Sequence, residues 1–221
     1  MIRAAVPADA AALCAIYAHY VEGTAVSFEY RPPDAAEFAA RMAALLPRYP
    51  YLVCEEGGRP VGYAYAAPLS PRAAYLHSVE TSIYLERDAR GRGYGRALYG
   101  ALERRLGGSG VRNLYACVAV SQGPDPYLPG DSLPFHLRMG YRVVGRFSRC
   151  GTKFGRWYDV CWLEKPLLRA GAGEAGALPL GPVLQQKERL GVRQLLDERE
   201  PPLRPEHQRR RRERVREGRV V

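Results

Sequence analysis

The sequence predicts an α/β protein built on a mixed sheet. Two observations carry that expectation. Apolar residues recur at helical spacing in some segments and at strand spacing in others, and the two kinds interleave along residues 1–166. Several strand segments connect through hairpins, so the sheet must contain antiparallel pairs and cannot be all-parallel. With 221 residues, 47% of them hydrophobic, the chain is long enough for one such domain and something extra.

The elements follow in order. Asp9 stands where a helix cap is expected, and Leu13, Ile16, Tyr17 and Tyr20 then make one apolar face that ends at Gly23. A second helix is predicted after Pro32-Pro33-Asp34, with Phe38, Met42 and Leu45 facing inward. Residues 51–55 and 61–67 read as strands joined by the turn Glu56-Gly57-Gly58-Arg59. A strand over residues 78–85 leads to the Gly-rich segment 90–95. Leu98, Leu102 and Leu106 then mark a helix that stops at Gly107-Gly108. Residues 114–120 are a strand, 121–131 a loop by composition, and 132–139 a short helix ended by Gly140. Residues 141–147 and 157–163 close the pattern as a hairpin.

Pro166 ends the patterned part, which divides the chain into a domain at 1–166 and a tail at 167–221. Residues 170–176 read as a flexible linker, 183–196 as a transient helix and 209–216 as a nearly continuous Arg run. The tail has no aromatic residues and is expected to be mostly disordered. It carries 13 Lys and Arg against 8 Asp and Glu, so half of the net charge of +10 sits there. Such a balance favours an anionic partner, whether a phosphorylated cofactor, a nucleic acid or a membrane surface.

The five cysteines, Cys14, Cys54, Cys117, Cys150 and Cys161, are odd in number and widely spaced, with no CxxC pair. They read as free thiols of a reducing compartment and not as a disulfide framework or a zinc site, and no metal is expected. The N-terminus reaches Asp9 too soon for a signal peptide, and no apolar run approaches the roughly 18 residues of a membrane span. A soluble cytoplasmic protein is expected.

The chemistry concentrates in Arg90-Gly91-Arg92-Gly93-Tyr94-Gly95-Arg96. Alternate glycines let the backbone turn sharply and approach a ligand, and a helix begins at once, so backbone amides and a helix dipole point at the same place. Arg90, Arg92 and Arg96 add charge. The combination suits a pyrophosphate. A dinucleotide fingerprint fails, because the third glycine counted from Gly91 falls at 95 and not 96. A triphosphatase loop fails too, because Arg96 and Ala97 replace its Lys and Ser/Thr.

What fits is (Gln/Arg)-x-x-Gly-x-(Gly/Ala), filled by Arg90, Gly93 and Gly95. It resembles the acyl-CoA loop of the GNAT superfamily of N-acetyltransferases. Residues 1–166 are similar to its phosphinothricin and methionine sulfoximine acetyltransferase group. The similarity lies in Ile16-Tyr17-Ala18-His19-Tyr20-Val21, in segments 48–53 and 62–66, in Val79-Glu80-Thr81-Ser82-Ile83-Tyr84-Leu85, and in Phe154-Gly155-Arg156-Trp157-Tyr158-Asp159-Val160.

The resemblance implies a mixed, mostly antiparallel sheet of about six to seven strands with about four helices, acetyl-CoA as cosubstrate, and a homodimer. It implies transfer of acetyl to the primary amine of a small amino-acid-like acceptor. An alkylammonium has a pKa of about 10, so the transfer needs a base; Glu80 stands at the family's position for it. The amides of Ile83, Tyr84 and Leu85 are expected to bond the pantetheine arm and the acetyl oxygen. Arg90, Gly91, Arg92, Gly93, Tyr94, Gly95 and Arg96 are expected at the phosphates, and Ser132 at the cofactor. His136 takes the general-acid position, and Phe28, Arg72 and Tyr75 those facing the acceptor, with Arg72 a candidate to grip a carboxylate or phosphinate. The loop between Val118 and Ser132 is longer than in the best-known herbicide-detoxifying members and borders the acceptor site. The segment Lys153-Phe154-Gly155-Arg156-Trp157 is shared with dimeric relatives; it either reaches a partner's site or is a packed hairpin. Two other readings remain. One is a GNAT enzyme acting on a protein N-terminus or a lysine. The other is a nucleic-acid-binding protein using the Arg-rich tail, against which stand the missing aromatics and the interspersed Glu206, Glu213 and Glu217.

Overall fold

The computed structural model describes residues 1–167. In chain order they form strand β1 (Ile2–Ala4), helices α1 (Ala10–Gly23) and α2 (Ala35–Leu45), strands β2 (Tyr51–Glu56), β3 (Arg59–Pro68) and β4 (Ser78–Leu85), helix α3 (Tyr94–Gly107), strand β5 (Asn113–Val120), helix α4 (Ser132–Arg138), and strands β6 (Arg142–Lys153) and β7 (Arg156–Pro166). The strands make one sheet in the order β1-β2-β3-β4-β5-β7-β6. Only β4 and β5 run parallel. The sheet is therefore mixed and mostly antiparallel, with four helices, as expected. The expected linker at 170–176, helix at 183–196 and Arg run at 209–216 lie outside the described residues.

Strand alternation divides the core between the two faces. On β2, Leu52 and Cys54 pack with Leu98, Leu102 and Leu106 of α3. Tyr51 and Val53 point the other way, to Leu13, Ile16, Tyr17 and Val21 of α1 and to Phe38 and Met42 of α2. The β2–β3 turn places Gly57 and Gly58 at φ of 57° and 78°, the left-handed pair a two-residue hairpin needs. Asp34 caps α2, its Oδ1 accepting from the Glu37 amide at 2.8 Å.

Three elements differ from expectation. Strand β1, which pairs Ile2, Arg3 and Ala4 with Cys54, Val53 and Leu52, is too short to show a period in sequence. Asp9 does not cap α1. Its carboxylate accepts from the Val6 amide at 2.7 Å and from Arg3, at 2.8 and 2.7 Å, and so ties β1 to the start of α1. Strand β6 continues past residue 147 to Lys153, after a register shift between Phe147 and Gly151 in which Arg149 takes φ 49°. Gly151 is required there. A Cβ would lie 2.2 Å from the Phe28 ring.

Two lysines brace this frame. Lys153 is 3% exposed, and its Nζ donates to the carbonyls of Val21 (2.6 Å), Thr24 (2.9 Å) and Ser27 (2.7 Å). It thereby fixes the segment after α1 that carries Phe28. Lys165 donates to both Glu103 carboxylate oxygens and to the Met139 carbonyl, each at 2.7 Å. Lys153→Met is expected to leave three buried carbonyls unpaired and to destabilise the fold by about 3 kcal/mol, read as a lowered midpoint in urea denaturation.

The long loop of residues 121–131 is pinned at three points. Asp125 accepts from the Tyr158 hydroxyl at 3.2 Å and faces Arg156 at 3.4 Å. The Tyr127 ring stacks on Phe154 with centroids 4.1 Å apart, and the Tyr127 carbonyl accepts from the Ala25 amide at 2.8 Å. Lys153 and Phe154 of the shared hairpin segment therefore pack within their own chain, while Trp157 stays exposed.

Candidate active site

The site starts where the parallel ladder stops. β4 and β5 pair only over Ser78–Asn113, Val79–Leu114 and Glu80–Tyr115. Beyond that point β4 stays with β3 and β5 with β7. Thr81 closes the junction: its hydroxyl donates to the Tyr115 carbonyl at 3.0 Å and lies 2.9 Å from the Tyr141 hydroxyl. Past Thr81, the β4 edge that faces β5 is open.

Alternation decides which groups it offers. The Glu86 amide reaches back to Val61 of β3 at 2.9 Å, so Tyr84, two residues earlier, also faces β3. Ile83 and Leu85 face the gap. At Leu85 both backbone groups are taken: its N–H donates to the Tyr20 hydroxyl at 3.1 Å, and that hydroxyl donates to its C=O at 2.6 Å. Ile83 is left with its N–H and C=O free among the described residues. The three expected cradling amides thus stand differently in the structure. Tyr84 belongs to the ladder, Leu85 is engaged by Tyr20, and Ile83 is open.

The gap gives onto a cavity of about 520 Å³ lined by Ile83, Leu85, Arg90 and Gly91, by residues 93–96, and by Tyr20, Ser132, Phe135 and Arg138 among others. Gly91 and Gly93 have φ of 71° and 84°. A Cβ at either would meet nothing within 4 Å, so backbone conformation and not crowding calls for glycine there. At Gly95 it is crowding: a Cβ would lie 3.1 Å from the Phe135 ring. Gly93 precedes the first turn of α3, and Ala97 donates the first amide bond, to the Gly93 carbonyl at 3.1 Å. The amides before it are left to an anion.

The cations divide unevenly. Arg96 lines the cavity with no hydrogen-bond or ion-pair partner among the described residues, and Arg138, which sequence reasoning missed, does the same. Arg90 lies 3.5 Å from Asp131 and 5.3 Å over the Tyr20 ring. Arg92 does not line the cavity. It is turned to Glu56 at the β2–β3 turn, with one contact of 2.8 Å and a second guanidinium nitrogen on the other carboxylate oxygen.

Glu80 projects from the sheet face opposite to Val79 and Thr81, half-buried, with no hydrogen-bond or ion-pair partner among the described residues. Burial pushes its carboxyl above the usual range. Cys117 on β5 shares that face, and burial together with the Glu80 charge pushes its thiol up to about 12.

His136 lies behind the cavity wall, 4% exposed. The Ser132 carbonyl, 2.8 Å away, can only accept, so Nδ1 carries the proton and Nε2 accepts from the Tyr99 hydroxyl at 2.9 Å. Burial lowers its pKa, which keeps the ring neutral at pH 7. It does not line the cavity as a direct proton donor would; Ser132, with Oγ 3.5 Å from Nδ1, does. Phe28 rests on Gly151 and on Tyr158. Arg72 and Tyr75 stand exposed on the one-turn helix before β4, outside the cavity. No group of three His, Cys, Asp or Glu among the described residues is arranged to hold a metal.

Residues 2–162 match the profile of the acetyltransferase (GNAT) domain. The chain belongs to the GNAT acetyltransferase family. As a GNAT member it is an N-acetyltransferase. It is 41% identical over 160 residues to a phosphinothricin N-acetyltransferase of Alcaligenes faecalis, an alignment covering 72% of this chain and 78% of the relative. It is 31% identical over 165 residues to an L-methionine sulfoximine/L-methionine sulfone acetyltransferase of Pseudomonas paraeruginosa, covering 74% and 92%. Among solved structures, the GNAT phosphinothricin acetyltransferase of Sinorhizobium meliloti in complex with acetyl-CoA superposes with a TM-score of 0.71 at 35% identity, over 81% of this chain and 95% of that one. No helix among the described residues is long and apolar enough to cross a membrane.

Proposed function

We propose that this GNAT enzyme transfers acetyl from acetyl-CoA to the primary amine of a small amino-acid-like acceptor, of the phosphinothricin or methionine sulfoximine kind, in one direct step. The observation that carries this reading is the placing of Glu80. It is an unpaired, half-buried carboxylate at the last rung of the β4–β5 ladder, three residues from the free backbone of Ile83.

The cavity fits acetyl-CoA on its own geometry. The left-handed glycines open onto free space, and among the described residues the first amides of α3 are unpaired and Arg96 and Arg138 have no partner. Together with Arg90 they would hold the phosphates, and Ile83 would hold the amide-bearing arm. Acetyl-CoA supplies an acyl group activated as a thioester. Glu80 takes the proton from the acceptor's ammonium, directly or through a water. The Ile83 N–H stabilises negative charge on the acyl oxygen. The departing sulfur takes the proton that the attacking nitrogen loses on becoming an amide, with the Ser132 hydroxyl as a hydrogen-bond donor to that sulfur and His136, its Nδ1 3.5 Å from that hydroxyl, behind it. Phe28 walls the acceptor, and Arg72 binds its acidic group. Cys117 stays a neutral thiol at pH 7, which favours direct transfer over an acyl-cysteine route.

Exposed Val143, Val144 and Phe147 on the edge strand β6 support a homodimer, and five unpaired cysteines support a reducing, cytoplasmic setting. The test is release of CoA thiol with phosphinothricin, methionine sulfoximine, methionine sulfone, free amino acids, polyamines and peptides as acceptors. Turnover is expected with the first three. Turnover confined to peptides would replace this reading with a protein acetyltransferase.

A further inference from the structure

Between β4 and α3 the chain holds a short turn in a conformation that favours glycine. Gly91 and Gly93 stand at φ of 71° and 84°. Nothing lies within 4 Å of where either Cβ would be, so no packing fixes them at those points. Glycine has the widest choice of backbone conformations and loses the most freedom when ordered. A turn left to its glycines would have to be ordered by the ligand, and affinity would fall accordingly. We propose that Glu56, at the end of β2, is the positioning residue of this loop: its carboxylate clamps Arg92 and Tyr94, the two neighbours of Gly93, and holds the turn in its phosphate-binding shape before the cofactor arrives. This rests on the cavity being the acetyl-CoA site.

Gly91 and Gly93 line the cavity, and Arg92 between them turns away from it. Its Nη1 donates to Glu56 Oε2 at 2.8 Å, and its Nη2 donates to Oε1. The Tyr94 hydroxyl donates to the same carboxylate, and the Arg92 guanidinium lies 5.2 Å over the Tyr94 ring. Three side chains thus close a ring beside Gly93, the N-cap of α3. A second pair, of opposite polarity, grips the other end of the segment. Arg59, at the start of β3, holds Glu86, just before the one-turn helix Arg87–Ala89. The loop is anchored in the core at Ala89, 3% exposed, and against Phe135 at Gly95. Between these anchors, Glu56 is the carboxylate that ties it to the sheet.

Charge alone would act in the opposite direction. Glu56 is a carboxylate beside a loop that receives phosphates, so Coulomb repulsion predicts that its removal tightens an anionic ligand. A lone exposed ion pair is worth little. A two-point arginine–carboxylate contact with a third donor fixes geometry as well as charge. Where that geometry governs, removal of Glu56 weakens the ligand in spite of the charge. Glu80 and Ile83 lie on β4 and not on this loop, so the loss falls on binding of the cosubstrate and spares the chemical step.

Glu56→Gln is expected to raise the dissociation constant of CoA, by titration calorimetry, about fivefold, and the KM for acetyl-CoA with it. Its kcat at saturating acetyl-CoA and its KM for phosphinothricin are expected to hold. Arg92→Gln is expected to lose the same factor in CoA affinity, and the double variant no more than either alone, because each breaks one clamp. Amide relaxation by NMR reads the turn without turnover. In the CoA-free wild type the Gly93 order parameter is expected near that of rigid backbone, about 0.85, and in CoA-free Glu56→Gln below about 0.6. A Glu56→Gln enzyme that binds CoA as well as wild type, or tighter, would overturn the clamp and leave the acetyl-CoA reading standing. Losses that multiply in the double variant would do the same. A wild type that does not bind CoA would overturn both. The Arg92 and Glu56 side chains are 48% and 42% exposed, so these variants are expected to fold. Should they not, the CoA-free wild type decides: a flexible Gly93 amide overturns the clamp, and a rigid one supports it.

Discussion

Glu80→Gln is expected to lower kcat at pH 7 by about 10²–10⁴-fold, with the loss shrinking toward pH 10 as free amine replaces ammonium. The wild-type rate should fall as pH drops through the Glu80 carboxyl, at a pH above that of an ordinary glutamate because burial raises it. The same shift makes a stability prediction of opposite sense. A carboxyl with a raised folded-state pKa binds protons more readily folded than unfolded. The cost of burying its charge is absent below the unfolded value and fully present above the folded one. The Gln variant should therefore melt higher than wild type at neutral pH, and the difference should vanish in acid. A flat rate ratio across pH would remove Glu80 as the base; equal melting at pH 7 would show that the carboxylate is solvated in place.

Gly93→Asp is expected to weaken acetyl-CoA binding by at least about 100-fold, near 3 kcal/mol, while the fold persists. Gly93 stands at the N-cap of α3 with φ 84°. Aspartate tolerates left-handed backbone better than most residues and is a good cap, so the helix has a way to survive. The same carboxylate would occupy the amides that the cofactor phosphates need and would oppose their charge. Calorimetric titration with acetyl-CoA, beside an unchanged far-ultraviolet circular dichroism spectrum, checks both halves. Retained binding would end the assignment of this loop.

Strand β4 was legible to both ends, because an alternating run is followed directly by Gly-rich punctuation. The same holds for α3, whose leucines at 98, 102 and 106 lie on one buried stripe. Where reading failed, the cause lay in distance along the chain or in broken periodicity. β1 takes its identity from Leu52, Val53 and Cys54, some fifty residues away. β6 outruns its apolar pattern because the bulge before Gly151 interrupts alternation. In the site, local spacing is enough to place the glycines and Arg96 along one loop, whereas the turn of Arg92 toward Glu56 depends on another hairpin and has no local signal. Tyr20 reads in sequence as one more apolar residue of α1. Its hydroxyl acquires a role only from Leu85, which no spacing rule connects to it.

The two braced lysines have a consequence for an enzyme that handles an activated acyl donor. The sequence contains only three lysines, and two of them, Lys153 and Lys165, lie among the described residues. Each of those has three acceptors around its Nζ, which engage all three of its hydrogen-bonding positions and leave no open approach for an acyl group. Positive charge on the surface is carried instead by arginine, which stays protonated and does not attack thioesters. Within residues 1–167 the chain thus offers no unengaged lysine amine to self-acylation, and its cationic surface is chemically inert toward its own cosubstrate.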